Sequence, residues 1–289
     1  MTRRTSAPID STADSLKELF QSHPILGKLN VEQLEKFAQA LKIIHSKLYE
    51  EASEKGEQEN FEQEWASWRN SDVLDDMCIY RYMYGYLWDV DVAVKQCVDM
   101  LQWVRSFKPK DIKLKDLESV AQNGYLFHHG VDKLNRPVFY LLIGKDSAPN
   151  TEENVDLKFK HLVHTNEQCI KRLEENGQDD IYQILWVVDM KNGSVNLNLV
   201  KSLRHLFDNL GVRYPERCGQ ILILNPPWTL NVIWAFTQQQ IDKYKFIKGT
   251  TEKIKQELLK YIDEDQIPQC AGYDTTGSWT YQDALNNEK

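Results

Sequence analysis

Four histidines and one aspartate are the residues of this sequence whose types and spacing could do chemistry. His161 and His164 lie three residues apart on a predicted helix, a spacing that can seat a metal ion. The spacing suggests no third ligand, and His161 neighbours a lysine-rich stretch, so we interpret it as a solvated histidine. His128 and His129 are adjacent on a predicted strand and point to opposite faces, which makes them a poor ligand pair.

Asp189 follows a predicted strand, a position where α/β proteins often place functional groups. No base or nucleophile accompanies it in the sequence pattern, so we interpret it as a turn or capping residue. The sequence also lacks a GxSxG elbow, a phosphate-binding loop, a GxGxxG after a strand and an HExxH pair. These observations argue against an enzyme, and no cofactor or metal site is predicted.

Composition narrows the class of protein. The 289 residues are 42% hydrophobic and 11% aromatic, which is typical of a globular chain with a large core. Five scattered cysteines without a CxxC pair favour a reducing compartment. The N-terminus has no apolar signal-peptide region, and no apolar run approaches the ~20 residues of a membrane-spanning helix. A formal charge of −8 argues against nucleic acid as a partner, and we expect a cytoplasmic protein.

Alternating strands and helices in the second half of the chain indicate the fold class. The predicted strands are Gly124–His128, Pro137–Ile143, Ile181–Val188, Gln220–Leu224 and Tyr244–Ile247. The near-continuous apolar run "IYQILWVV" is typical of a strand buried on both faces. The sequence therefore predicts an α/β fold with a mostly parallel sheet flanked by helices, preceded by a helical region.

One predicted helix is unusually apolar. Between Trp228 and Phe236 apolar residues surround nearly its whole circumference, and Asn225-Pro226-Pro227 separates it from the preceding strand. A folded protein leaves such a segment on its surface only when something covers it. One interpretation is a core helix under another layer of the protein.

Six segments carry a resemblance to a known family. They are "DDMCIYRYMYGYLWDVDVAVKQCVDMLQWVRSF", "GVDKLNRPVFYLLIGKD", "VVDMKNGSV", "YPERCGQILILNPPWTLNVIW", "KYKFIKG" and "IPQCAGYD". In this order they resemble the CRAL-TRIO lipid-binding family, and in particular the yeast secretory phosphatidylinositol/phosphatidylcholine transfer proteins. The Asp-x-x-x-Arg-Pro-Val hairpin and "YPERCG" before an apolar strand are the most specific parts.

The resemblance implies a domain organisation. Residues 1–64 would form an N-terminal tail and helical extension, 65–110 the family's helical subdomain, 111–275 the lipid-binding domain and 276–289 a polar tail. The apolar helix then corresponds to a mobile gate over a cavity that holds one lipid. The expected gate residues are Trp228, Leu230, Ile233, Trp234 and Phe236.

The family's headgroup residues are matched only in part. Glu216, Arg217 and Lys243 match a Glu-Arg pair and a late lysine, groups that suit inositol hydroxyls and a phosphodiester. Alternatively, Arg217 holds a structural ion pair. Where the family has two arginines this chain has Tyr84 and Tyr86, and Tyr86 falls at the headgroup position.

The expected cavity lining also departs from the family. It comprises Tyr84, Ile184, Trp186, Val188, Ile221 and Ile223. Ile184 and Trp186 stand where the family has a serine and a threonine that recognise phosphatidylcholine, so we do not expect that lipid to bind in the family's manner. A sterol, an isoprenoid or a tyrosine-ligated cofactor is an alternative ligand.

The function implied is non-enzymatic. The chain would be a monomer that binds phosphatidylinositol or a related phospholipid, docks transiently on membranes and presents the lipid to another membrane or to a lipid kinase. The rival hypothesis is a protein-interaction scaffold whose cavity is collapsed. We expect docking through "KYKFIKGTTEKIK", where five lysines accompany Glu252 alone.

Overall fold

The chain divides into two compact units. The computed structural model describes residues 6–149, 151–177, 180–193, 210–227 and 243–288. The first unit comprises Met1–Lys108, Gly177–Asp180 and Val212–Glu216. The second comprises Pro109–Asn176, Ile181–Gly211 and Arg217–Lys289.

The first unit is helical. Its helices are α1 (Ala13–Phe20), α2 (Val31–Glu54), α3 (Gln58–Arg69), α4 (Asp76–Gly85) and α5 (Val90–Phe107). Thr12 and Asn30 begin α1 and α2 with reciprocal capping boxes, so the starts of both helices follow from local sequence. His23 and Pro24 lie between these two helices.

A buried ion pair fastens the start of the chain to this unit. Arg69 and Asp76 are 4% and 0% exposed and pair with each other. Asp76 Oδ2 also accepts a hydrogen bond from the Ala7 amide at 3.0 Å, and Arg69 Nη2 donates to the Ala7 carbonyl at 3.2 Å. Ala7, in a segment expected to be a tail, is therefore held by two charged groups.

The second unit contains the sheet. Its elements are α6 (Glu118–Ala121), β1 (Leu126–Val131), β2 (Pro137–Leu142), α7 (Glu152–Asn176), β3 (Ile184–Asp189), β4 (Cys218–Leu224), β5 (Tyr244–Ile247), α8 (Thr251–Leu258) and α9 (Tyr281–Asn287). The strand order is β1-β2-β3-β4-β5. Only the β1–β2 pair among these strands is antiparallel, which confirms the predicted α/β fold with a mostly parallel sheet.

The turn between β1 and β2 is fixed by one aspartate. Asp132 Oδ1 accepts hydrogen bonds from the amides of Leu134 and Arg136 at 3.0 and 2.7 Å. Its second oxygen pairs with the Arg136 guanidinium at 2.7 Å. Asn135 takes the left-handed conformation that closes the turn, with φ of 60°. The Asp-x-x-x-Arg-Pro pattern therefore has a structural role here.

The two faces of the sheet are covered differently. Tyr140, Val187 and Leu222 lie side by side on the face that packs against α8 and the residues after it. Helix α7 packs against β1 and β2 and contributes nothing to that core cluster, so it covers the opposite face. Phe139, Trp186 and Ile221 lie side by side on that opposite face.

Candidate functional site

The sheet face under the predicted cavity is apolar. Ile184, Trp186 and Val188 alternate along β3 and therefore point to one side, and Ile221 and Ile223 of β4 lie beside them on the same side. All five are buried, between 0% and 3% exposed. The structure thus brings together five of the six residues predicted to line a cavity. That they contact a ligand stays a prediction.

An aromatic pair occupies the middle of this face. The Phe139 ring of β2 stacks on Trp186 of β3, with centroids 3.9 Å apart and planes inclined by 16°. Neither Ile184 nor Trp186 carries a hydroxyl group, so this part of β3 offers no small hydrogen-bonding side chain to a choline phosphate.

Arg217 has a structural partner. It is 8% exposed, and its Nη1 donates to the Tyr182 carbonyl at 3.1 Å. Its own carbonyl accepts from the Ile184 amide at 2.7 Å, which places Arg217 at the start of the β3–β4 pairing. This geometry favours a backbone-supporting role for Arg217.

Two of the predicted headgroup residues lie near each other in the helical unit. Tyr86 ends α4, and its ring stacks on Tyr82 with centroids 6.4 Å apart; partial burial raises the pKa of Tyr86. Glu216, with φ of 57°, lies so close to this turn that a Cβ on Gly85 would meet its Oε1 at 3.6 Å. Tyr84 is 48% exposed and stacks on Tyr80.

The remaining predicted residues are placed only in part. Lys243 immediately precedes β5. Headgroup binding by Glu216, Arg217, Lys243 and Tyr86 stays a prediction. The predicted gate residues Trp228, Leu230, Ile233, Trp234 and Phe236 lie outside the described residues.

A polar cluster that the sequence did not reveal closes the carboxyl ends of β3 and β4. Asp189 Oδ1 accepts from the Lys191 amide and from Asn225 Nδ2, both at 2.8 Å. Asp189 Oδ2 accepts from the Tyr273 hydroxyl at 2.5 Å. The turn role predicted for Asp189 accounts for the Lys191 contact but not for the other two partners.

The family model for the CRAL/TRIO domain matches residues 121–272, which is more than half of the chain. The chain belongs to the CRAL-TRIO family. Its similarity to individual relatives is low. It is 27% identical over 203 residues to a CRAL-TRIO domain-containing protein of Schizosaccharomyces pombe, an alignment of 68% of this chain and 18% of that protein.

It is 26% identical over 231 residues to the phosphatidylinositol/phosphatidylcholine transfer protein SFH7 of Arabidopsis thaliana, covering 69% of this chain and 41% of SFH7. The chain therefore spans less than half the length of these two relatives. A crystal structure of Sfh5 superimposes with a TM-score of 0.51 at 18% identity, covering 75% of this chain and 83% of that one. This superposition shows a shared fold.

The CRAL-TRIO domain of this chain buries the histidine that the sequence suggested was solvated. His161 is 2% exposed and its ring contacts Tyr125, and burial lowers its pKa to about 3. The prediction of a solvated His161 is wrong because the neighbouring lysines do not indicate an exposed face of α7: Lys158 pairs with Asp146 and Lys160 with Asp156, while His161 is buried. Among the described residues, no group of three or more His, Cys, Asp or Glu could hold a metal ion.

In the lysine-rich segment of the CRAL-TRIO domain, residues 243–255, some of the lysines pair with acidic residues from elsewhere in the domain. Lys245 lies 3.6 Å from Glu257 and donates to the Tyr261 hydroxyl at 2.7 Å. Lys255 pairs with Glu264 at 2.8 Å. Glu252 is the only acid within the segment, but acids outside it pair with two of its five lysines. Within the described ranges, no helix combines the length and apolar character needed to cross a bilayer.

Proposed function

We propose that this chain binds one lipid molecule against the apolar sheet face and presents or transfers it between membranes. The observation that carries the proposal is the continuous apolar surface of Ile184, Trp186, Val188, Ile221 and Ile223 in a domain of the CRAL-TRIO family. An acyl chain on such a surface loses contact with water, at ~0.8 kcal/mol for each buried methylene.

The free energy of burying acyl chains has a consequence for the mechanism of exchange. Ten buried methylenes would hold a lipid by roughly 8 kcal/mol against escape into water. Release into solution would then be slow, so exchange takes place while the protein is docked on a membrane. The proposed site of action is cytoplasmic, with transient membrane association, and a lipid kinase is a proposed recipient.

Phosphatidylinositol or a related phospholipid is the proposed ligand. Tyr86 and Glu216 lie close together at the end of α4, where hydroxyl and carboxylate groups can hydrogen-bond an inositol ring. Phosphatidylcholine is excluded from the proposal because Ile184 and Trp186 offer no hydroxyl group. Nothing in the proposal requires a catalytic residue or a cofactor.

A second candidate ligand is a rigid apolar molecule such as a sterol or an isoprenoid. The stacked rings of Phe139 and Trp186 favour it, because they make the centre of the sheet face flat and bulky. The backbone hydrogen bond of Arg217 also favours it, since this cation is already engaged. If these rings instead fill the cavity, the chain is a protein-interaction scaffold without a lipid.

The experiment is to purify the full chain from cells and weigh it by native mass spectrometry, with organic extraction and identification of what it carries. One phosphatidylinositol per chain supports the leading proposal, and a sterol or isoprenoid supports the second. Protein without an adduct, which also takes no lipid from mixed vesicles, contradicts both. Transfer of phosphatidylinositol and phosphatidylcholine between vesicles, measured on one sample, tests the exclusion of the choline lipid.

A further inference from the structure

A cavity of about 290 Å³ lies at the β1 edge of the sheet, within the second unit. Helix α7, strand β1 and the C-terminal residues from Ser278 onward form its walls. Its volume is at the lower end of the roughly 300–1,000 Å³ typical of small-molecule sites. A single water molecule needs only about 10–15 Å³ on such a measure, so the space is far larger than a water site.

The C-terminal segment is firmly fastened over this cavity. The Trp279 ring stacks on Phe127 of β1 with centroids 4.1 Å apart. Both carboxylate oxygens of Glu288 accept from the Leu114 amide at 2.9 Å, and the Tyr281 hydroxyl donates to the Leu114 carbonyl at 3.4 Å. The predicted polar tail therefore forms one wall of a defined site.

One side of the cavity is lined by polar side chains of α7, and one of them has a buried nitrogen without a hydrogen-bond partner among the described residues. Nδ1 of His161 is buried and has none in the part of the chain that the structure describes. His164 Nδ1 lies 3.1 Å from the Ile112 carbonyl and so carries the proton, which leaves its Nε2 as an acceptor. Thr165 and Gln168 complete this side. Buried polar groups of this kind require a partner, from water or from a ligand.

The charged side chains that line the cavity are the carboxylates of Asp283 and Glu288. Burial lowers the pKa of His128 to about 4 and that of His161 to about 3, so both imidazoles are neutral at pH 7. Each then offers one N–H donor and one nitrogen acceptor. Burial lowers the pKa of His164, the Glu288 carboxylate raises it, and the Lys113 cation lowers it. The two carboxylates disfavour an anionic ligand, and an uncharged one with its own donor and acceptor fits the neutral imidazoles.

Apolar side chains form another part of the cavity lining. Leu126, Phe127 and Trp279 belong to it, together with Leu114. A ligand that satisfies both the polar and the apolar side chains has an apolar body and one hydrogen-bonding edge. The volume limits it to a small ring and excludes an acyl chain in an extended conformation.

We propose that this cavity is a second ligand site, which takes a small uncharged ring compound with a hydrogen-bonding edge, such as a phenol or an indole. The ring lies against Phe127 and Trp279, and its polar edge contacts His161 and Gln168. The site is on the β1 edge and uses none of the residues of the proposed lipid site.

The test uses the full chain at pH 7.5 and saturation-transfer NMR with phenol and indole as probes. We expect both to bind, and His161→Phe to weaken the binding at least tenfold. Because His161→Phe removes an unpartnered buried imidazole, the free energy of unfolding should stay the same or rise. Tyr125→Phe is the matched control, since Tyr125 also has an unpartnered buried hydroxyl and contacts His161 but does not line the cavity.

Three results would overturn the proposal: no binding of either probe at millimolar concentration, equal binding by parent and His161→Phe, or equal loss with Tyr125→Phe. Preferential binding of myo-inositol or inorganic phosphate would also overturn it, in favour of a polyol or an anion. If His161→Phe does not fold, Gln168→Leu replaces it and should weaken binding in the same way. Phosphatidylinositol transfer, measured in parallel, should be unchanged in all variants.

Discussion

Tyr273 donates its hydroxyl to Asp189 Oδ2 at 2.5 Å across 84 residues of chain. Asn225 Nδ2 donates to both, to Asp189 Oδ1 at 2.8 Å and to the Tyr273 oxygen at 3.1 Å. Burial, the Asp189 charge and its hydrogen bond to the hydroxyl raise the pKa of Tyr273. The three side chains tie the carboxyl ends of β3 and β4 to the segment after α8, so the end of the matched domain is fastened to its centre.

Tyr273→Phe should destabilise the protein by about 1–3 kcal/mol, because it removes one of three donors from a carboxylate that is only 4% exposed. Urea unfolding followed by fluorescence measures the loss. Tyr261→Phe is the control: its hydroxyl accepts from the side chain of Lys245 and is partly exposed, so we expect a loss below about 1 kcal/mol. A loss no larger for Tyr273→Phe than for Tyr261→Phe would show that the Asp189 cluster adds nothing to stability.

The free energy of unfolding should decrease as the pH is lowered below about 6.5, the ordinary pKa of a histidine in the unfolded chain. In the folded protein burial lowers the pKa of His161 to about 3 and that of His128 to about 4. Between these folded-state pKa values and about 6.5, the unfolded chain therefore binds more protons than the folded protein. The free energy of unfolding decreases as the pH falls through this range. From pH 6.5 to 5.5 we expect a loss of roughly 2 kcal/mol from these two groups.

Urea unfolding at both pH values checks this expectation. His161→Phe cannot take up the proton, so the loss in this variant should be smaller by about 1 kcal/mol. His129 and His164 also have lowered pKa values, through burial, and act in the same direction. Equal stability at pH 6.5 and 5.5 would mean that the histidines are not buried as described.

The sheet was predictable from the sequence because its signals are local. The strand predicted at Pro137–Ile143 is β2, Pro137–Leu142, and the strand predicted at Tyr244–Ile247 is β5 with the same bounds. Apolar runs ended by Gly, Pro or Asn are sufficient for this purpose. The hairpin at Asp132 was likewise predictable, since Asp132 and its partner Arg136 are only four residues apart in the sequence.

Contacts between distant segments were not predictable. Tyr273, which donates to Asp189, is distant from it in the sequence, and the acids that pair with Lys245 and Lys255 lie on other elements. The spacing of residues therefore does not indicate these contacts. The burial of His161 depends on which side of α7 meets β1, and the run "LKFKHLVH" allows more than one answer. The cavity at the β1 edge depends on Trp279 reaching Phe127 across the domain.

Glu216→Ala combined with Lys243→Ala should reduce phosphatidylinositol transfer roughly tenfold, since each lost charge-assisted hydrogen bond contributes about 1.5–3 kcal/mol and part is recovered from water. Transfer between vesicles with labelled lipid measures the effect, and the thermal midpoint should change little. Lys115→Ala combined with Asp116→Ala is the control, because it also removes one charge of each sign and both side chains are exposed. Unchanged phosphatidylinositol transfer would remove Glu216 and Lys243 from the headgroup site.

Lys248→Glu combined with Lys253→Glu should weaken binding to anionic vesicles more than tenfold, because each lysine near such a surface contributes about 1 kcal/mol and reversal adds repulsion. Both side chains are exposed. Lys245→Glu combined with Lys255→Glu is the control with the same change in charge, and should have a smaller effect because Glu257 and Glu264 already pair with these cations. Co-sedimentation with vesicles at two salt concentrations measures the binding of both double variants. Binding that ignores salt and anionic lipid content would exclude this docking surface.

Ile233→Asp combined with Phe236→Asp tests the gate predicted from the sequence. If the apolar helix enters the bilayer during exchange, each charge costs ~2.5–3.5 kcal/mol near the centre of the bilayer and less at the interface. Vesicle-to-vesicle transfer should then fall steeply, while the thermal midpoint stays near that of the parent. In a static core helix the same two charges would instead lower the midpoint sharply, because they would be buried without partners. Measuring transfer and midpoint on one sample separates these cases, and undiminished transfer rules out a gate at Ile233 and Phe236.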